Sequence, residues 1–154
     1  MTGNGTLQCV QITPQWEHAI ADLFAALMKA GDEAFFHPHP LTREHAHVVA
    51  NYSGRDLYYG MVEGRDVVGY GMLRGWDAGY TVPSLGIALH PDVRGAGLGS
   101  VLVQFLHAAA KRRGSDRVRL TVNEQNERAI VMYKRLGYKF EPQARDTLVG
   151  TLEL

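Results

Sequence analysis

The spacing of apolar residues changes several times along this chain, and each change marks an element. Residues 7–13 form a short run that reads as a strand. Thr13-Pro14 then supplies a hydroxyl cap and a first-turn proline. Ile20, Leu23, Phe24, Leu27 and Met28 follow at steps of three and four, which predicts an amphipathic helix stopped by Gly31. Residues 35–40 hold two prolines and two histidines and predict no regular helix. A second helix is expected over residues 41–51, capped by Thr42. The period then falls to two. Residues 57–62 and 67–73 predict a hairpin around Glu63-Gly64-Arg65-Asp66, with Val67, Gly69, Gly71 and Leu73 on one face. The two glycines on that face let another element approach closely.

Residues 74–83 read as a loop or distorted hairpin, and 85–89 as a short apolar strand. A glycine-rich turn leads into a helix over residues 97–113, whose predicted buried stripe is Leu98, Val101, Leu102, Phe105, Leu106 and Ala109, with Gly114 as its stop. Residues 117–122 alternate as a strand with Val118, Leu120 and Val122 on one side. Residues 126–136 predict a short helix with Ala129, Ile130, Tyr133 and Leu136 on one side, and 138–140 and 147–152 the last strands. No repeat, linker or low-complexity tract interrupts this order, which predicts one α/β (α+β) domain over residues 1–154.

Composition narrows the picture. The 154 residues carry 45% hydrophobic side chains, and 16 Lys and Arg balance 16 Asp and Glu. Nucleic-acid binding through phosphate neutralisation ordinarily needs a basic excess or patch. The one cluster, Lys111-Arg112-Arg113, falls at a helix end, where cations complement the helix dipole. Cys9 is the single cysteine, so no intrachain disulfide forms, and it reads as a small apolar strand residue. No signal-peptide pattern or membrane-length apolar run is present, which leaves a cytoplasmic expectation with no membrane partner.

The chemistry concentrates at Arg94-Gly95-Ala96-Gly97-Leu98-Gly99, directly before a predicted helix. Alternating glycines let a phosphate reach the backbone, and the helix start adds unpaired N–H groups. A P-loop would need a lysine after the last glycine, where Ser100 and Val101 stand. A dinucleotide fingerprint would need its third glycine at position 100 and an early place in the fold. The sequence resembles the GNAT N-acetyltransferase superfamily here. Arg94, Gly97 and Gly99 match its diphosphate motif after the lead-in Ile87-Ala88-Leu89-His90-Pro91, and Asn126, Ala129, Tyr133, Gly137 and Tyr138 match a second motif behind a strand.

The resemblance, clearest from residue 57 to 140, implies a mixed, mostly antiparallel central sheet flanked by helices, its two central strands splayed. It implies acetyl-CoA as co-substrate. The diphosphate would lie on Arg94, Gly95, Ala96, Gly97, Leu98, Gly99 and Ser100, and the pantetheine arm against the backbone of Ile87 and Leu89 and near Asn126. A backbone N–H near Leu89 would polarise the thioester carbonyl. Tyr133 would be the general acid for the leaving thiolate, although spacing alone would read it as a core aromatic. The implied reaction is acetyl transfer to a primary amine, expected on a small molecule, by direct attack in a ternary complex. A homodimer is compatible with the family.

The strand before the glycine loop, Pro83-Ser84-Leu85-Gly86, lacks the carboxylate that serves as base in several family members. Glu33, His37, His39 and Tyr80 are the candidate bases. Phe36, His37, Trp76 and Tyr80 are the candidate walls of the acceptor pocket; for Trp76 and Tyr80 the competing reading is cover for a sheet edge. No metal is expected, because the histidine-rich stretch lacks paired cysteines and helical His-x-x-x-His spacing. The missing carboxylate keeps open a coenzyme A-binding sensor or scaffold without turnover. A nucleotide-dependent oxidoreductase rests on the glycine spacing alone.

Overall fold

A computed structural model describes residues 5–36 and 38–154. Seven strands form one sheet in the order β1-β2-β3-β4-β5-β7-β6. They are β1 (Leu7–Gln11), β2 (Leu57–Glu63), β3 (Asp66–Arg74), β4 (Ser84–Leu89), β5 (Arg117–Asn123), β6 (Lys139–Ala144) and β7 (Thr147–Glu153). Every neighbouring pair is antiparallel except β4 and β5. Four helices flank the sheet: α1 (Glu17–Lys29), α2 (Arg43–Ala50), α3 (Leu98–Arg112) and α4 (Glu127–Arg135). None of the described helices is long and apolar enough to cross a membrane.

One face of the sheet is covered by α1 and α2. Ile20, Leu23, Phe24 and Leu27 of α1 pack with Val67, Tyr70 and Met72 of β3. Thr42 caps α2 by accepting from the His45 N–H at 3.1 Å, as its position predicts. Thr13 makes no such side-chain bond; the chain there passes through a 3-10 turn, Pro14–Trp16, before α1 begins. Met28, placed in the buried stripe by spacing, is exposed.

The other face carries α3. A Cβ on Gly71 would lie 3.0 Å from Leu106 Cδ1, and one on Gly69 3.5 Å from Leu102 Cδ2. These glycines therefore admit α3 against β3, as expected. Val67 does not share their face: the register skips at Met61/Val62, a bulge that turns Val67 toward α1 while Val68 packs with Leu102 of α3. The α3 stripe is also rotated from its expected position. Gly99, Leu102, Val103, Leu106 and Ala110 are buried, whereas Val101 is 53% exposed. On β5, Val118, Leu120 and Val122 join this core as the alternation predicts.

Candidate active site

The parallel neighbours β4 and β5 pair at one rung only, Ser84 opposite Arg119, where the Arg119 N–H donates to Pro83 O at 3.0 Å. Beyond that rung they diverge. Hydrogen bonding on the other side fixes which residues face the gap. His90 donates to Val68 O at 2.8 Å, so the even-numbered residues of this stretch bond to β3. Ile87 and Leu89 therefore turn their backbone groups to the opening. The opening is part of a groove of about 1800 Å³, lined by the end of β4, the start of α3, the inner side of α4 and loops at either mouth.

At one end the chain leaves β4 through a 3-10 turn, Pro91–Val93, which His90 stabilises by accepting from the Asp92 N–H at 3.1 Å. Gly97 then precedes α3 with φ 84°, a left-handed conformation that glycine adopts without strain. Val101 donates to Gly97 O at 3.3 Å; the amides of residues 95–100 have no acceptor among the described residues. They gather at the positive end of a 15-residue helix. Space beside Gly97 is open, so the backbone stays accessible. Arg128 on α4 reaches over the loop, its Nη2 lying 3.3 Å from where a Cβ on Gly95 would sit. Bare amides, a helix start and a cation together fit a diphosphate.

Arg94 lines the groove as well, but its guanidinium is engaged within the chain. Its Nε and Nη2 donate to Leu89 O at 3.2 and 2.9 Å, and Nη2 also pairs with the Asp32 carboxylate. The guanidinium thus ties the loop to the segment after α1 and occupies the Leu89 carbonyl. The Leu89 N–H remains the polar group offered to the groove.

Tyr133 stands on the α4 wall, only 6% exposed, with its ring edge-on to Tyr138 at 5.3 Å. Its hydroxyl makes no hydrogen bond among the described residues. No buried side-chain polar atom there lacks a partner, so this hydroxyl opens onto the groove. Burial raises its pKa and holds the phenol neutral. Asn126 lines the same wall. Its Oδ1 accepts from the Ala129 N–H at 3.4 Å, which caps α4.

Several expected acceptor-side residues lie elsewhere. His39 is buried beneath α1, not on the groove. Its Nδ1 donates to Pro40 O at 2.8 Å, and its Nε2 accepts from the Tyr70 hydroxyl at 2.9 Å. Desolvation lowers its pKa to about 4, so it stays neutral with no free lone pair to take a proton. Glu33 is exposed on a short 3-10 turn away from the groove; its neighbour Asp32 is the residue that lines it. Trp76 packs into the core with Leu73, Leu85 and Leu106, under the Arg113 guanidinium at 4.8 Å, so it covers the sheet instead of walling a pocket. Phe36 and the largely exposed Tyr80 do line the groove. His37 lies outside the described residues. Among those described, no three His, Cys, Asp or Glu side chains converge as metal ligands would.

Arg74, Ser84, Arg119, Arg128 and Met132 also line the groove, and spacing gave no sign of them. Arg74, Ser84 and Arg119 become neighbours only through the strand order. The one local signal for Arg128 is its place in the first turn of α4, two residues beyond Asn126.

Comparison with known proteins gives the family and the fold. Residues 15–138 match the Acetyltransferase (GNAT) family. An acetyltransferase of Pectobacterium atrosepticum is 31% identical over 84 residues, covering 54% of this chain and 58% of that protein. A peptidyl-lysine N-acetyltransferase of Escherichia coli is 43% identical over 51 residues, 33% of this chain and 31% of that one. The matches thus span less than two thirds of these curated relatives. A ribosomal L7/L12 alpha-N-protein acetyltransferase, solved in complex with coenzyme A, superposes with a TM-score of 0.83 at 15% identity, covering 99% of this chain and 97% of its own; at that identity it speaks for the fold. With the match running from α1 through the second motif, this chain belongs to the GNAT acetyltransferase family, whose co-substrate is acetyl-CoA.

Proposed function

We propose that this protein transfers an acetyl group from acetyl-CoA to a primary amine of a small molecule by direct attack within a ternary complex. The observation that carries this reading is the single-rung pairing of β4 and β5, with a bare-amide cradle at the end of the gap. The amides of residues 95–100 and Arg128 would hold the diphosphate; the free backbone edge of Ile87 would pair with a pantetheine amide, and at Leu89, whose carbonyl Arg94 occupies, the N–H faces the arm. Acetyl-CoA supplies the activated thioester. The Leu89 N–H would polarise its carbonyl, and Tyr133 would give its proton to the departing thiolate.

No carboxylate stands on β4, so the proton of the amine is assigned to water in the open groove. Cys9 lies on β1, with β2 and β3 between it and β4, which supports transfer without an acyl-thiol stage on the protein. Phe36 and Tyr80 come from two loops that flank the acceptor end, which supports an acceptor small enough to lie between them.

The cradle is tested by thermal unfolding with and without acetyl-CoA. At a hundredfold excess over Kd, stabilisation of about 2.7 kcal/mol should raise Tm by roughly 5–10 °C. Gly97→Asp should abolish the shift by placing a carboxylate in the cradle. Aspartate tolerates a left-handed conformation and favours a helix N-terminus, so this variant should remain folded. Gly97→Asn is the neutral control. An equal shift in wild type and Gly97→Asp would refute the cradle. Thiol release with an amine panel then separates an enzyme from a module that only binds.

A further inference from the structure

Arg74 on β3 is the register partner of Ser84 on β4, and Ser84 is the register partner of Arg119 on β5. The three residues therefore occupy one rung across three adjacent strands, and rung partners project to the same face. That face is the one under α1 and α2. A Cβ on Gly86 would meet Met72 Cγ at 3.3 Å, and Met72 packs with the α1 core, so Ser84 and Arg74 share its side. On β5, Val118 and Leu120 point to the opposite core, which leaves Arg119 on the α1 side. All three line the groove at the closed end of the gap between β4 and β5.

Two arginines on such a rung have Cα atoms roughly 10 Å apart. Neither forms an ion pair among the described residues. Arg74 Nη1 donates to Pro38 O at 2.7 Å, and the Arg119 side chain has no hydrogen-bond partner there. The carboxylates at this mouth are already engaged. Asp56 accepts from the Gly75 and Asp77 amides at 3.0 and 3.2 Å. Asp77 accepts from the Arg55 amide at 2.7 Å and from the Tyr52 hydroxyl. Two partly buried guanidinium groups without an ion-pair partner repel each other, and an anion between them relieves that repulsion.

We infer that the acceptor is an amine that also carries an anionic group, a carboxylate or a phosphate, which Arg74 and Arg119 bind with the Ser84 hydroxyl beside them. This rests on the acetyl-transfer reading. Ile87 and Leu89 lie three and five residues along β4 from the rung, roughly 10–16 Å. The long arginine side chains shorten that gap, so the amine and the anionic group fit within one small molecule.

The test uses the full chain with acetyl-CoA and matched acceptor pairs: 4-aminobutyrate against n-butylamine, lysine against 1,5-diaminopentane, and O-phosphoethanolamine against ethanolamine. Thiol release should favour the anionic member by roughly tenfold or more in kcat/KM, and the carboxylate and phosphate pairs show which anion is meant. Arg119→Gln should collapse the ratio between the members of a pair, and Arg119→Lys should restore part of it. Equal kcat/KM for both members in the wild type, or an undiminished ratio in Arg119→Gln, overturns the inference. If no pair is turned over, the acetyl-transfer reading fails separately. In that event the thermal shift given by 4-aminobutyrate against n-butylamine, with coenzyme A present, still decides: a shift with the acid alone that Arg119→Gln removes upholds the anion site, and its absence overturns it.

Discussion

Tyr133 and His39 are both shielded from solvent, and their hydroxyl and ring nitrogens meet different surroundings. Burial keeps the Tyr133 phenol protonated while its hydroxyl looks into the groove, so it can serve as an acid. Tyr133→Phe removes only that oxygen; kcat should fall roughly 100-fold with little change in KM for acetyl-CoA. A wild-type rate would return Tyr133 to a packing role. His39 is neutral for a structural reason, locked between Pro40 and Tyr70. Its folded pKa of about 4 lies below the ordinary 6.5, so between those values the unfolded chain binds more protons. Stability should therefore be fully present above about pH 6.5 and be lost as pH falls toward 4, by an amount on the order of 3 kcal/mol. Urea unfolding across that range measures the slope, and His39→Phe should flatten it.

At the level of elements, β3 and α3 depend on each other through two missing side chains. Gly71→Val would drive a methyl into Leu106 and Leu102, at a cost of about 1–3 kcal/mol. Adding Leu106→Ala should recover part of that loss, a non-additivity that denaturant titration of the single and double variants would show. The glycines of β3 were legible in the sequence because a strand face without side chains implies a close neighbour. Most element extents and the glycine turn before α3 were legible too, since period and punctuation are local signals, although β6 runs to Ala144 where the sequence predicts 138–140. The face of Val67 was not, because a bulge shifts the alternation by one residue and leaves no mark in a run of valines. The α3 stripe shifted because alanine and valine occur on both its sides, so tertiary packing decides between Val101 and Val103. His39 read as a candidate base because its partner, Tyr70, lies 31 residues away and no local pattern shows that it is buried. The Arg74–Ser84–Arg119 rung depends on a strand order that no local pattern encodes.

Across the whole molecule, the sheet consists of two wings: β1 to β4, and β5 with β7 and β6. One rung and the packing of α3 over β3, β4 and β5 join them. The consequence can be followed in the isotope exchange of individual amides. Along β4, protection should alternate residue by residue in the ligand-free protein. The Ala88 and His90 amides, bonded to β3, should take up deuterium slowly, while those of Ile87 and Leu89 should label fast despite lying mid-sheet. Adding acetyl-CoA should slow that fast pair selectively and erase the alternation. Uniform protection before it is added would mean that the wings close on each other in solution.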